Sequence, residues 1–405
     1  MKSKFNTRHL ALGLLTASAF SAAVHAAPTR ITVQVENVAP MQATFMTPVW
    51  VGLHNGADFD TYNGNTPASS RPIEGSNALE SICEDGSTDA ISADFSTLQP
   101  LGQQTTIAGP NGPLAPGEMA SFSFVVDSDD PNTRYFSYAS MVLPSNDFCV
   151  SNGSPLAHPL FNDAGEFIAE SFFVAGNEVL DAGTEVNDEV PANTAFFGQA
   201  AANTGVDENG NIGTLGSDIG GITGFLPRGS NGILDDPRFR EADFSQAGYS
   251  FLKFKFSAAP AVTENLLFST FLLGKNEVPA VRTSAIGISQ ASLTEQGTQL
   301  NLLAVIARLP RNTEITAAHL HLGAAGENGP VVANLLNDGD FSDGRLRRLS
   351  SDLGSNDLVG PLLGQPLDEL IVAIQEGRVY INIHTERNPD GELRGQLTEV
   401  DSYDY

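Results

Sequence analysis

Alternating apolar and polar residues predict β-strands along most of this chain. In residues 30–37 the apolar side chains of Ile31, Val33 and Val35 alternate with polar ones, which is typical of a half-buried strand. Comparable patterns predict strands at Met119–Val126, Tyr135–Leu143, Ala169–Leu180, Tyr249–Phe256, Leu267–Leu273, Ala285–Glu295, Gln299–Ala307, Thr316–His321 and Arg378–His384.

The segments between these strands are rich in Gly, Pro, Asn and Asp, which favour turns. Helices are predicted at Ser76–Ile82 and, more clearly, at Leu367–Glu376, where apolar residues recur on one face. Short strands with such connections favour an all-β fold of two antiparallel β-sandwiches with one or two short helices. A Pro- and Ala-rich break predicts domains at 29–256 and 266–398, joined by a linker at 257–265.

The first 26 residues predict an export signal. Basic residues precede an apolar run from Leu10 to about Phe20, and the small residues Val24 and Ala26 follow where a signal peptidase would cut. This run is shorter than the roughly 20 residues that cross a bilayer, so a membrane anchor is the less favoured alternative. We therefore expect residues 1–26 to be a signal peptide and the protein to be secreted or periplasmic, without a transmembrane segment.

The charge of the chain narrows the choice of partners. Its 405 residues include 21 basic and 48 acidic side chains, for a formal net charge of −27 that becomes −30 once the signal peptide is removed. Such a charge argues against nucleic acid as a partner, because phosphate binding requires a basic surface. It is compatible with divalent cations, which carboxylates bind.

The chain has two cysteines, Cys83 and Cys149. In an oxidising compartment they would form a disulfide, which would remove roughly 4 kcal/mol of unfolded-state entropy for a loop of this length. The alternative is a pair of free, buried thiols.

The predicted first domain resembles a known family in several segments. These segments are RITVQVENVAP (30–40), TPVWVGLHNG (47–56), LESICEDGS (79–87), YFSYASMVLPSNDFCVSN (135–152) and FVAGNEVLDAGTEVNDE (173–189). They resemble the spondin domain, the N-terminal module of F-spondin and mindin. The resemblance implies an antiparallel β-sandwich that binds a divalent cation, usually calcium, and serves in adhesion or in the extracellular matrix.

The resemblance also implies candidate calcium ligands. Asp147 follows the Pro-Ser-Asn element, and Asp181 opens the Asp-Ala-Gly-Thr element, at positions that are acidic in the family. Asp127 and Glu185 are further candidates, although the match to Asp127 requires a gap. Carboxylates in loops between strands suit a hard cation such as calcium. The alternative is that these acids cap turns, where Asp is common.

The predicted second domain resembles another family. Its matching segments are LLGKNEVPAVRTSAIG (272–287), AAHLHLGAAGENGPVV (317–332) and VYINIHTERNPDGELRGQL (379–397). They resemble the CHRD domain, the repeated module of chordin, which is common in secreted bacterial proteins. The resemblance implies an immunoglobulin-like β-sandwich but no defined biochemical role. We expect the glycines at 323, 326 and 329 to provide positive φ angles or close backbone approaches after the predicted strand.

Three histidines of this second domain suggest a metal site. His319 and His321 are two residues apart in a predicted strand and so project to one face, and His384 ends another strand. Three imidazoles would bind zinc or copper, in loose resemblance to the histidines of copper–zinc superoxide dismutases. The alternative is a polar network in which the histidines bond to Glu392, Asn382 or a neighbouring carbonyl group.

These observations support a secreted calcium-binding adhesion or matrix protein without covalent chemistry as the leading hypothesis. Its partner would be a cell-surface or matrix protein or a glycan. Two alternatives remain: a zinc- or copper-binding protein or metalloenzyme that uses the histidines, and a structural component of an envelope or biofilm. Known nucleophile, phosphate-loop and zinc-protease motifs are absent from the sequence, so we do not expect an enzyme. The sequence leaves the oligomeric state open.

Overall fold

The computed structural model describes residues 28–57, 76–214, 225–261, 266–294, 297–310, 313–335 and 346–400. These residues form 21 β-strands and three α-helices, which confirms the predicted all-β fold. The predicted signal peptide lies outside the described residues. Within the described ranges, no helix is long and apolar enough to cross a membrane.

Twelve strands build the N-terminal sandwich. They are β1 (Thr29–Asn37), β2 (Phe45–Met46), β3 (Val49–His54), β4 (Gln103–Ile107), β5 (Met119–Val126), β6 (Tyr135–Leu143), β7 (Phe148–Ser151), β8 (His158–Pro159), β9 (Phe172–Ala175), β10 (Leu180–Asp181), β11 (Gly213–Thr214) and β12 (Ser250–Pro260). One antiparallel sheet has the order β5-β1-β12-β9, and the other has the order β11-β10-β7-β6-β3-β4, with β2 and β8 paired to β6.

The core of this sandwich lies between the two sheets. Ile31, Val33 and Val35 of β1 are fully buried, as their alternation predicts. They share this core with aromatic residues of both sheets: the ring centroids of Phe136 of β6 and Phe254 of β12 are 5.4 Å apart. The apolar faces of the two sheets thus supply the burial that stabilises the domain.

Two helices add a layer outside the second sheet. They are α1 (Ala78–Glu84) and α2 (Asp89–Leu98), and they cover Trp50 of β3, whose ring centroid is 5.3 Å from that of Phe95. The predicted disulfide is present: Cys83 of α1 is bonded to Cys149 of β7. The first helix was expected, whereas α2 was not.

The C-terminal sandwich is one continuous sheet of nine strands. They are β13 (Leu267–Leu273), β14 (Ile286–Leu293), β15 (Leu300–Ala307), β16 (Ile315–Leu322), β17 (Val331–Asn334), β18 (Leu346–Leu353), β19 (Val379–Thr385), β20 (Leu393–Gln396) and β21 (Thr398–Glu399). The order is β17-β16-β19-β20-β13-β14-β15-β18, with β21 paired to β13. The two edges of this sheet approach each other: Ser351 Oγ of β18 donates a hydrogen bond to the carbonyl oxygen of Leu335, just after β17. The helix α3 (Leu367–Gln375) buries its predicted apolar stripe in this core.

Three details differ from the sequence-based expectations. β12 continues to Pro260, so the first four residues of the predicted linker belong to a strand paired with β1. Residues 262–265 lie outside the described residues. The single strand expected at Ala169–Leu180 is two short strands separated by a 3₁₀ turn. The polar face of β1 is not fully solvated, since Arg30 forms an ion pair with Asp368 of α3.

Candidate metal sites

Asp147 and Asp181, two of the four acids predicted to bind calcium, lie close together. Asp147 is in the turn between β6 and β7, and Asp181 ends β10, where it pairs with Phe148 of β7. Both side chains are buried, with 0% and 1% of their surface exposed. The turn and the strand pairing therefore bring two carboxylates into the same buried region at one end of the second sheet.

Hydrogen bonds satisfy only part of these carboxylates. Asp147 Oδ2 accepts hydrogen bonds from the backbone amides of Thr184 and Glu185, at 3.0 and 3.1 Å. Asp181 Oδ1 accepts one from the amide of Gly183 at 2.8 Å, in a turn that needs the positive φ of this glycine, +66°. The other oxygen of Asp147, Oδ1, is buried and has no hydrogen-bond partner among the described residues.

Two glutamates extend this pair into what we call the acidic cluster: Glu84, Asp147, Asp181 and Glu185. Glu84 and Glu185 are 2% and 1% exposed, and the Oε2 atom of each is buried without a hydrogen-bond partner in the described structure. The resemblance points to Glu185 but not to Glu84. The indication for Glu84 is the disulfide: Cys83 precedes it, and Cys149 is two residues beyond Asp147.

Burial raises the pKa of every carboxyl group in the acidic cluster. It raises the pKa of Glu84 to about 7, and it raises that of Asp147 well above its usual range, with the charge of Asp181 as the next cause. Burial is also the main reason why the pKa values of Asp181 and Glu185 are raised. Carboxylates in such surroundings need a compensating cation to stay ionised, and their oxygen atoms suit calcium.

The structure does not bring Asp127 to the acidic cluster, which corrects that part of the calcium prediction. Asp127 follows β5 in a turn that leads to the start of β6, where its Oδ1 atom accepts a hydrogen bond from the amide of Asp129 at 3.0 Å. Asp147 follows the other end of β6, a nine-residue strand of roughly 30 Å. The two residues thus belong to opposite ends of the sandwich, and Asp127 has the turn-capping role considered as its alternative.

A second candidate site is formed by His319 and His321 of β16 and by His384 of β19, here called the histidine triad. One potential donor nitrogen from each ring lies within 4.8 Å of the others. Among the described residues, this is the one group of three or more His, Cys, Asp or Glu side chains whose potential ligand atoms lie this close together. The carboxylate oxygens of the acidic cluster are farther apart. The pairing of β16 with β19 is what brings the three rings together.

The hydrogen bonds of the triad show which of the partners considered above the histidines have. His321 Nδ1 is 2.9 Å from the carbonyl oxygen of Gly329, and His384 Nδ1 is 2.8 Å from that of Pro389. His319 Nδ1 is 3.2 Å from His384 Nε2. The expected carbonyl partners are therefore present. Glu392 instead accepts hydrogen bonds from Thr385 and Asn388, so it does not anchor the histidines.

His319 and His321 favour the neutral form that metals bind. Burial lowers the pKa of His319 to about 4, with the charges of His384 and His321 as further causes. Burial also lowers the pKa of His321, although its bond to Gly329 opposes this effect. At neutral pH, His319 and His321 therefore carry lone pairs on their free nitrogens.

A loop over His321 holds the carbonyl of Gly329 in place. The guanidinium of Arg394 lies 3.4 Å from the ring centroid of Tyr380 and donates to the carbonyl oxygen of Ala324. Tyr380 stacks on His321 and accepts a hydrogen bond from the amide of Gly329 at 3.1 Å. The expectations for the loop glycines are confirmed: the φ of Gly326 is +84°, and a Cβ atom at Gly329 would lie 1.8 Å from the carbonyl oxygen of Leu322.

Substituting Gly329 should therefore be costly. We expect G329A to lower the free energy of unfolding by about 1–3 kcal/mol, because the added methyl group forces the backbone apart, and to displace the carbonyl that orients His321. Chemical denaturation measures the loss. G354A is a matched control, because a Cβ atom there meets nothing closer than 3.7 Å. Equal stability of the two variants would contradict this reading of the loop.

The two sandwiches and their sites define an all-β protein with two candidate metal centres. Residues 268–397 match the family model of the CHRD domain, so the chain contains a CHRD domain in its C-terminal part. No spondin match was found for the N-terminal part, where the resemblance stays a prediction. The comparison with curated proteins found no match, and the comparison with solved structures found none either.

Proposed function

We propose that the protein is an exported, calcium-dependent binding protein of the adhesion or matrix type that carries out no covalent chemistry. One observation carries this proposal: Glu84, Asp147 and Glu185 each have one buried carboxylate oxygen without a hydrogen-bond partner among the described residues. The charge of Glu84 acts on Asp147 and that of Glu185 acts on Glu84, so the three groups are neighbours. A buried acceptor without a partner is costly, and more so when it is charged. A calcium ion with its six to eight oxygen ligands would remove that cost and draw the carboxylates together.

The compartment and the class of partner rest on supporting observations. Disulfides persist mainly outside the cytosol, so the Cys83–Cys149 bond supports export, as does the predicted signal peptide. The spondin-like segments around Asp147 and Asp181 support a role in adhesion. We therefore propose a cell-surface or matrix protein or a glycan as the partner.

A cleft beside the acidic cluster supports recognition at this end of the sandwich. Its volume is about 460 Å³, and Glu84 and Thr184 contribute to its wall. The rest of the lining is mostly polar: Ser76, Asn77, Leu79, Glu80, Asn203, Asp207, Glu208 and Asn209. An ion held at the cluster would face this cleft, where hydroxyl or carboxylate groups of a partner would complete its coordination.

Calcium should stabilise the wild-type protein, and D147N should weaken this effect strongly. At 100 times the dissociation constant, calcium adds about 2.7 kcal/mol to the free energy of unfolding. D147N removes the charge of a carboxylate at the centre of the cluster, so the shift in melting temperature should shrink, and calorimetric titration should show weaker binding. D127N is the matched control, because Asp127 lies away from the cluster.

Two results would contradict the calcium site: no calcium-dependent rise in melting temperature in the wild type, or the same rise in D147N. Binding to immobilised glycans and matrix proteins, with calcium and then with a chelator, tests the recognition step separately. Calcium binding without any surface ligand would favour the structural alternative, in which the ion serves stability alone.

A further inference from the structure

The histidine triad lies on one face of the C-terminal sheet because of strand pairing. In the β16–β19 pair, His319 is opposite Asn382, and Ala317 is opposite His384. Cross-strand partners project to the same side of a sheet, so the three rings share the face that points away from the core. Their neighbours Ala318 and Leu320 point the other way and are buried.

The backbone fixes which nitrogen of two rings carries the hydrogen. A carbonyl oxygen only accepts hydrogen bonds, so Nδ1 of His321 must donate to Gly329, and Nδ1 of His384 must donate to Pro389. The Nε2 atom of each ring then has a lone pair: that of His384 faces Nδ1 of His319, and that of His321 has no hydrogen-bond partner among the described residues. This arrangement, a ring nitrogen that donates to a carbonyl while the other faces the centre, is the usual second shell of a metal-bound histidine.

The distance between a nitrogen of His319 and one of His384 is close to the distance between two nitrogen ligands of the same metal ion. His319 Nδ1 and His384 Nε2 are 3.2 Å apart. Two nitrogens at 2.0–2.1 Å from a tetrahedral metal are separated by roughly 3.3 Å. The pair would need little rearrangement to bind a metal, beyond moving the hydrogen of His319 from Nδ1 to Nε2.

The third potential ligand atom, His321 Nε2, makes no hydrogen bond to the described residues. His321 is 9% exposed, and its Nε2 atom is buried without a hydrogen-bond partner among the described residues. A purely structural network would be expected to satisfy this atom, because a buried polar group without a partner costs free energy. An incoming metal ion would satisfy it.

We propose that His319, His321 and His384 form a three-imidazole site for a borderline divalent transition metal, copper or zinc. Neutral imidazoles suit these ions, whereas calcium and magnesium prefer oxygen ligands. Three protein ligands leave a fourth position for water or an exogenous ligand. His319 and His384 are half-buried, so this position is open to solvent.

This site is independent of the proposed calcium function. It lies in the CHRD domain, uses nitrogen donors, and shares no residue with the acidic cluster. Titrating the full-length, metal-free protein in saturating calcium therefore separates the two proposals, because failure of one leaves the other testable.

The test is to titrate wild type, H321Q and H384Q with zinc chloride and with copper(II) sulfate. We expect one equivalent of either metal to bind the wild type, and copper to bind more tightly, in line with the general affinity order of these ions. Each substitution should weaken binding by more than about 100-fold, since changes in the second shell alone cost about 10- to 100-fold. The copper spectrum should show three nitrogen ligands in the wild type and fewer in each variant.

His158 offers a matched control. It is half-buried in the N-terminal sandwich, where its ring stacks on Phe172, so H158Q should bind both metals as the wild type does. H384Q changes a more exposed ring and keeps the test valid if H321Q fails to fold. The proposal is overturned if the wild type binds neither metal, or if a folded H321Q or H384Q keeps wild-type affinity for both.

Discussion

Replacing both cysteines, as in C83A/C149A, is expected to lower the free energy of unfolding by about 4 kcal/mol and to weaken calcium binding. The first effect follows from the loop that the disulfide closes, with a sequence separation of 66 residues. The second follows from geometry, because the bond ties the helix that ends at Glu84 to the strand that follows Asp147. Urea denaturation can be followed through Trp50, the one tryptophan of the chain, which is buried in the same layer.

A reductant provides the control for this prediction. Reduced wild type should approach the stability and the calcium affinity of C83A/C149A, whereas the double variant itself should not respond to the reductant. Unchanged calcium affinity in a folded double variant would show that Glu84 keeps its place without the bond. Unchanged stability would show that the disulfide contributes little beyond the packing around it.

Chelating calcium at neutral pH is expected to destabilise the protein and to change how its stability depends on pH. The pKa of Glu84 is about 7 in the folded chain, above its ordinary value of 4.5. Without calcium, the stability that protonated Glu84 contributes is complete below the ordinary pKa and is lost as the pH rises through about 7, by at most about 3 kcal/mol. With calcium, the carboxylates stay ionised, and stability is lost on acidification instead. Melting temperatures between about pH 5 and pH 8, in chelator and in calcium, measure both trends.

The variant E84Q isolates the contribution of this side chain. It cannot ionise, so it should flatten the pH dependence in chelator and should also reduce the stabilisation by calcium. A wild-type protein whose stability in chelator rises between these pH values would contradict the prediction. So would an E84Q protein with the wild-type pH profile.

Local sequence patterns were sufficient to predict most strands but not the helix α2. β5, β6 and β13 have the predicted bounds because their alternation and flanking turns indicate the same segments. The sequence of α2, DAISADFSTL, contains several weak helix formers. This helix is stabilised by packing, with Ile91 and Phe95 buried against the layer around Trp50. Such a contact between distant segments leaves no periodic signature of its own.

In the candidate sites too, local motifs predict some residues, whereas others are placed by contacts between segments far apart in the sequence. Asp147 and Asp181 lie in motifs that a resemblance can identify one by one. Glu84 instead reaches the cluster through the disulfide and the packing of its helix against distant strands. The common face of His319 and His321 follows from strand alternation. The carbonyl groups that orient the rings belong to loops, and the path of a loop cannot be read from its composition.

The alternation within β16 links the proposed metal site to the tolerance of this segment for insertions and deletions. Ala318 and Leu320 are 1% and 0% exposed, and they are interleaved with the two histidines. A one-residue insertion ahead of Ala318 that shifts the pairing of the rest of the strand by one position would turn both histidines into the apolar core and Ala318 and Leu320 outward. Homologous chains should therefore vary in length at the ends of β16 but not inside it, even where the three histidines are absent.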